Sequence, residues 1–104
     1  MQTEKNNSIF NKPYYEARAK VFKALGHPTR LLFADHLARG EKCVCELQVL
    51  VHADMSTVSK HLTVMREAGI VSMEKRGSNV YYALKMECLA GFLACLDQVL
   101  GTQA

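Results

Sequence analysis

Two cysteines separated by a single residue, Cys43 and Cys45, are candidates for metal binding or redox chemistry. Thiolates bind soft, thiophilic ions in preference to magnesium or calcium, and a pair of thiols can also be oxidised. On a regular helix, residues two apart point about 200° away from each other. Binding of one ion by both sulfurs is therefore expected to unwind or tilt the first turn of such a helix. The alternative is that both cysteines are plain structural residues.

Two further cysteines, Cys88 and Cys95, lie seven residues apart in the last apolar segment. This spacing places them about 20° apart around a helix axis. They could complete an ion site, within one chain or across a dimer, or they could be packed thiols, because free cysteine behaves as a small buried hydrophobe. The four histidines show neither HxxxH nor zinc-finger spacing, so no structural zinc site is expected.

The composition favours one small folded domain without enzymatic machinery. Of 104 residues, 49% are hydrophobic and 22% charged, and the net charge of +3 permits nucleic-acid binding without requiring it. No apolar run is long enough for a membrane span, and the N-terminus lacks a secretory signal, so we expect a cytoplasmic protein with reduced thiols. We expect neither an enzyme nor an organic cofactor, because there is no GxSxG motif, glycine-rich phosphate loop or evident carboxylate pair.

Apolar periodicity predicts five helices and a β-hairpin in the order α-α-α-α-β-β-α. The helices are expected over residues 14–25, 28–40, 43–51, 55–68 and 86–100. The hairpin turn is expected at residues 75–79. The apolar stripe of the last helix is too extensive for an exposed helix and needs a partner. The expected organisation is a flexible arm over residues 1–13 and a single domain over residues 14–101.

The fourth predicted helix has an apolar side and a polar side. The apolar side, expected to be buried, consists of Met55, Val58, Leu62 and Met65. The polar side carries short side chains and one cation, namely Ser56, Ser59, Lys60 and Thr63. Short hydroxyl groups let a helix backbone approach base edges and phosphates in the major groove. With the helix before it and a hairpin that carries Lys75 and Arg76, the pattern predicts a winged helix-turn-helix that binds double-stranded DNA; the alternative is a small helical interaction domain.

Five segments in order add a specific signal: ALGHPTRL (24–31), GEKCVCEL (40–47), STVSKHL (56–62), REAGIV (66–71) and YYAL (81–84). In this combination the chain resembles the ArsR/SmtB family of bacterial metal-sensing repressors over roughly residues 14–100. The resemblance implies a homodimer joined through the first and last helices, which would cover the apolar stripe. It also implies repression by binding an inverted-repeat operator, and release when an inducer binds.

The resemblance further implies which residues carry these roles. The residues that match the family's recognition-helix motif are Ser56, Thr57, Ser59, Lys60 and His61, although His61 could instead close the edge of the core. The Cys-Val-Cys-Glu-Leu segment implies trivalent arsenic or antimony as inducer, bound by Cys43 and Cys45. Arsenic-responsive relatives often carry a third cysteine where this chain has Gln48, so Cys88 and Cys95 are candidates for a third ligand, with packed core thiols as the alternative. The alternative function is a repressor of the same fold that responds to oxidants or persulfide.

Overall fold

The structure, a computed structural model, describes residues 10–101, which form five helices and three strands. In chain order these elements are α1 (Lys12–Leu25), α2 (Pro28–Leu37), β1 (Lys42–Cys43), α3 (Val44–Val51), α4 (Met55–Glu67), β2 (Val71–Arg76), β3 (Asn79–Leu84) and α5 (Leu89–Leu100). The predicted order is confirmed, with β1 as an additional short strand. The boundary of the predicted arm differs, because Lys12 and Pro13 already belong to α1. Residues 1–9 of that arm lie outside the described residues.

Side-chain caps explain where α2 and α4 begin. The ring Nδ1 of His27 accepts the Thr29 N–H at 3.1 Å, and Asp54 Oδ1 accepts the Thr57 N–H at 2.8 Å. The first amides of a helix have no partner within the helix, so each cap satisfies an otherwise unpaired donor. The predicted role of Asp54 as the cap of α4 is confirmed.

The hairpin of β2 and β3 is tighter than the sequence indicated. Arg76 pairs with Asn79, so the turn consists only of Gly77 and Ser78. Gly77 has a φ of 62°, a conformation that glycine adopts without a steric penalty. The predicted turn over residues 75–79 was therefore too long, and Lys75 and Arg76 belong to β2.

The strand β1 was not predicted, because two residues are too short to show an alternating pattern. It pairs with β3 in antiparallel register, Lys42 opposite Tyr82 and Cys43 opposite Tyr81, giving the sheet order β1-β3-β2. This pairing attaches the first cysteine directly to the inner strand of the hairpin.

The core lies between the helices and the base of the hairpin. Its buried residues are Ala24, Leu25, Phe33, Ala34, Leu37, Leu47, Val58, Leu62, Met65, Ile70, Val71, Tyr82 and Leu89. The predicted inner side of α4 is confirmed for Val58, Leu62 and Met65, but wrong for Met55, which is 39% exposed. Met55 is the first residue of α4 and precedes the turns that pack on the core. The opposite side of α4 faces away from the core.

Helices α1 and α5 keep large apolar side chains on the surface. Phe22 is 62% exposed and Phe92 is 42% exposed, and their rings meet edge to face with centroids 6.2 Å apart. Near the end of α5, Val99 is 77% exposed. The apolar stripe predicted for the last helix thus lacks a full partner within the described chain. None of the helices within residues 10–101 is long and apolar enough to cross a membrane.

Candidate nucleic-acid interface and cysteine pair

The outer side of α4 presents a row of small polar groups. Ser56, Thr57, Ser59 and Lys60 are exposed, and Thr63 is half-buried. None of these side chains is large and apolar, so the helix can approach another surface closely along this side. The structure therefore brings together five of the predicted DNA-contact residues on one side of one helix.

Asp54 fixes the start of this row. Its carboxylate accepts the Thr57 N–H at 2.8 Å and the Ser56 hydroxyl at 3.1 Å. Hydrogen bonds from the side chain and the amide of Thr57, and then from Ser56, hold the pKa of Asp54 below its ordinary value. The charged cap orients the first turn of α4, where the proposed contacts begin.

His61 is held by an internal cluster at the inner edge of α4. Its Nδ1 lies 3.0 Å from a guanidinium nitrogen of Arg30, and its ring lies 4.4 Å from that of His27. Burial, then the nearby His27 and Arg30, lower the pKa of His61. Because arginine only donates, Nδ1 must accept and the neutral ring carries its proton on Nε2. At least one nitrogen of His61 is thus committed to α2, as the core-edge interpretation expected.

The two basic residues predicted for the wing differ in their surroundings. Lys75 is exposed, but Arg76 donates to both carboxylate oxygens of Glu41 at 2.6 and 2.8 Å, and to Glu74 at 2.8 Å. Its guanidinium also lies over the Tyr81 ring, 4.6 Å from the centroid. The two acidic partners raise the pKa of Arg76 and, in return, Arg76 lowers the pKa of Glu41.

The cysteine pair corrects the predicted geometry. Cys43 is the extended residue that precedes α3, with φ −76° and ψ 157°, and only Cys45 lies inside the helix. The expectation that the two sulfurs point away from each other was therefore wrong, because it assumed that both residues are helical. Cys43 and Cys45 are joined as a disulfide, which also differs from the expected reduced thiols. Cys43 is 7% exposed, whereas Cys45 is exposed.

Two neighbours of the pair hold α3 in place. The Cys43 N–H donates to Glu46 Oε1 at 2.7 Å, which closes the first turn of α3. Gln48, which occupies the position of the family's third cysteine, donates to the Ala53 carbonyl at 3.1 Å. Gln48 therefore stabilises the connection between α3 and α4.

Cys88 and Cys95 are both exposed free thiols, so the packed-thiol interpretation is wrong for the isolated chain. Cys88 directly precedes α5, which begins at Leu89, three residues later than predicted. Within residues 10–101, no three side chains of His, Cys, Asp or Glu lie close enough together to hold a metal ion. A third ligand for the pair is thus not provided within one described chain.

Sequence reasoning missed three residues that position this surface, namely His27, Arg30 and Glu41. Arg30 and His61 are 31 residues apart, and Arg76 and Glu41 are 35 apart. Periodicity reports only neighbours along one element, so it contains no signal for these pairs. The helix-capping position of His27, just before Pro28, was the one local signal available.

Comparison with known proteins places this architecture in a family. The sequence profile described as "Bacterial regulatory protein, arsR family" matches residues 27–73. A biofilm growth-associated repressor of Agrobacterium fabrum is 36% identical over 88 residues, which cover 81% of this chain and 75% of the repressor. The chain belongs to the ArsR family. This ArsR-family chain is thus a DNA-binding transcriptional repressor and not an enzyme.

Two further proteins are similar to the ArsR-family chain. The homodimeric winged helix-turn-helix DNA-binding domain of Mb0332 from Mycobacterium bovis superposes with a TM-score of 0.81 at 26% identity, covering 94% of this chain and 91% of that domain. The arsenic resistance transcriptional regulator ArsR1 of Pseudomonas putida is 43% identical over 68 residues, or 64% of this chain and 53% of ArsR1. The winged helix-turn-helix prediction is confirmed.

Proposed function

We propose that this repressor binds an inverted-repeat operator as a homodimer and is released by trivalent arsenic or antimony bound at Cys43 and Cys45. The observation that carries the inducer assignment is the direct juxtaposition of the two sulfurs at the start of α3. Soft thiolates prefer thiophilic ions, and the reduced pair offers two of them with Cys45 open to solvent. The arsenic-resistance name of the Pseudomonas relative supports the same inducer class.

The DNA side of the proposal uses the outer side of α4. Ser56, Thr57, Ser59 and Thr63 would lie against base edges and phosphates, with His61 contributing through whichever nitrogen Arg30 leaves open. In a symmetric dimer two copies of α4 would enter successive major grooves, about 34 Å apart, which is why the operator is an inverted repeat. Lys75 would reach the flanking backbone from the wing.

The Lys60→Ala variant tests this surface. Lys60 is the one cation on the outer side of α4, so its loss removes about one released counterion per protomer. The expected result is weaker binding together with a salt slope reduced by about one unit per protomer. Fluorescence anisotropy at several salt concentrations measures both quantities. Lys85→Ala, at an exposed lysine beyond β3, is the matched control. An unchanged slope for Lys60→Ala would remove this residue from the phosphate contacts.

Release follows from where the cysteine pair lies. In the reduced protein no bond joins the two sulfurs, so an ion bound by both fixes their separation, and this constraint falls on β1 and on the first turn of α3. α3 packs against α4, and Gln48 ties the middle of α3 to the turn before α4 through the Ala53 carbonyl. Movement of α3 therefore changes the position of α4 relative to the DNA. This replaces the earlier expectation of helix unwinding, since Cys43 lies outside α3.

The test is arsenite titration of the reduced protein on a labelled operator duplex. Coupling of about 1–3 kcal/mol, or roughly 5- to 150-fold weaker binding, is the expected response. The Cys43→Ser/Cys45→Ser variant should bind DNA but ignore arsenite. A full arsenite response in that double variant would refute the assigned site.

The third ligand is tested by a matched pair of substitutions. We propose that Cys88 or Cys95 completes the coordination across the dimer, because Gln48 supplies no sulfur and the described chain brings no third ligand to the pair. The arsenite response of Cys88→Ser and that of Cys95→Ser are each compared with the response of the wild type. The substitution that removes the third ligand should cause the loss of response. X-ray absorption that finds only two sulfurs around arsenic in the native dimer would contradict this ligand assignment while leaving the pair in place.

A second candidate function is favoured by the disulfide itself. In a thiol-redox repressor, Cys43 and Cys45 lose two electrons and two protons to an oxidant or a persulfide and become the disulfide that the structure contains. Release by oxidised sulfur species without arsenite, reversed by a thiol reductant, would favour this alternative. Release by arsenite in the presence of reductant would favour the metalloid.

A further inference from the structure

Arg76 is the residue whose predicted and observed surroundings differ most. As the last residue of β2 it sits at the tip of the wing, where a cation would meet the DNA backbone. Instead its guanidinium makes a two-pronged contact with Glu41, a third contact with Glu74, and lies over Tyr81. These contacts of Arg76 therefore all run back onto the protein.

The Glu41 contact resembles the contact that the guanidinium would make with DNA. A carboxylate and a phosphate both present two oxygens that match the parallel N–H groups of arginine. Glu41 precedes β1 and lies 35 residues from Arg76 along the chain, so this pairing is a tertiary contact. Both side chains remain roughly half exposed, at 43% and 45%, so a phosphate can reach the same guanidinium.

We propose that Glu41 is a stand-in for a DNA phosphate that holds the wing Arg76 off the duplex, so that full wing contact requires exchange of this carboxylate for a backbone phosphate. We name the Glu41–Arg76 contact the wing latch. Opening the wing latch uses part of the binding free energy, which lowers the affinity of the repressor for all DNA sequences equally. Glu41 is therefore a residue that sets affinity without touching DNA.

The latch adjoins the cysteine pair through the sheet. Residues directly opposite in an antiparallel pair share one face, so Cys43 and Tyr81 are side-by-side neighbours. Arg76 lies over Tyr81, and Glu41 is two residues before Cys43. Displacement of β1 by an inducer therefore acts on the latch as well as on α3. This second step rests on the proposed function of the cysteine pair.

The test is a double-mutant cycle of Glu41→Gln and Arg76→Ala on duplex binding. The probe is a fluorescein-labelled duplex with an inverted repeat recovered by selection with the wild-type dimer. Since exposed ion pairs are weak, Glu41→Gln should tighten binding about threefold per protomer, or roughly tenfold per dimer. Arg76→Ala should weaken binding. In the Arg76→Ala background, the Glu41→Gln substitution should add nothing beyond its charge effect.

The charge effect is measured with Glu87→Gln. Glu87 lines the same surface groove as Glu41 but is not a partner of Arg76. A gain in Glu41→Gln no larger than in Glu87→Gln, or a gain larger than that of Glu87→Gln that persists without Arg76, would overturn the latch. Thermal unfolding of all variants checks that each is folded.

The inducer step has its own readout. If the latch transmits part of the signal, the arsenite-induced loss of binding should shrink in Glu41→Gln relative to the wild type. An equal loss in both proteins would overturn this step. The double-mutant cycle uses no inducer, so failure of the arsenite response and failure of the latch are separate results.

Discussion

His61 lies at the inner edge of α4, where it contacts Arg30 of α2 and the ring of His27. Arg30 donates to its Nδ1, and burial with the two nearby basic groups keeps its pKa below the ordinary value near 6.5. Between the two pKa values the unfolded chain therefore binds a proton at His61 that the folded protein does not bind. The contribution of His61 to the free energy of unfolding should be fully present above about pH 6.5 and should decline as pH falls toward the lowered pKa of the folded state. Urea unfolding between pH 7.5 and about pH 5.5 measures this decline.

The variant that isolates this residue is His61→Gln, which should flatten the decline without abolishing folding. His36→Gln, at a half-buried histidine outside the His27–His61 cluster, is the control and should leave the decline in place. If His61→Gln and the wild type lost stability equally on acidification, the cluster would not be the source of the pH dependence.

At the scale of the element, α4 depends on a charged cap at its first turn. Asp54→Ala leaves the Thr57 amide unpaired and removes favourable negative charge from the helix N-terminus. The melting temperature at pH 7 should fall by on the order of 5 °C. Because the pKa of Asp54 is lowered in the folded state, its contribution is present above the unfolded pKa and is lost as pH falls through the folded value.

The control is Asp54→Asn, which keeps a capping oxygen and should lie between the wild type and Asp54→Ala at pH 7. At about pH 3 the advantage of the wild type over Asp54→Asn should narrow. An advantage that stays constant with pH would show that charge plays no part in this cap. Calorimetry at the two pH values makes the comparison.

At the scale of the whole molecule, the exposed apolar side chains of α1 and α5 predict where two copies meet. A charge at Val99, which is 77% exposed in the described chain, would be buried in the proposed dimer. Val99→Asp should therefore give a folded monomer and weaken operator binding by about tenfold or more, because each half-site is then bound separately. Sedimentation equilibrium and anisotropy measure the two effects.

Val49 provides a matched control, because it is 72% exposed but lies on α3, away from both helices of the proposed interface. Val49→Asp should remain dimeric. If Val99→Asp were as dimeric as Val49→Asp, then the end of α5 would lie outside the interface, and the family's homodimeric arrangement would have to involve another part of the chain.

The sequence by itself determined the succession of helices and hairpin, the inner side of α4 from Val58 to Met65, and the cap at Asp54. These features depend on periodicity and on groups within a few residues of one another. The ArsR resemblance fixed the repressor class on the same local segments.

Only the tertiary structure decided that Cys43 is an extended residue paired with Tyr81, that Arg76 is occupied by Glu41, and that His61 is held by Arg30. Each of these features either joins residues more than 30 positions apart or depends on the first residue of a helix to within one position. A helical wheel carries no information on such pairs, because it describes one element in isolation. Packing of the elements sets these contacts, and they position the cysteine pair and the residues proposed to face DNA.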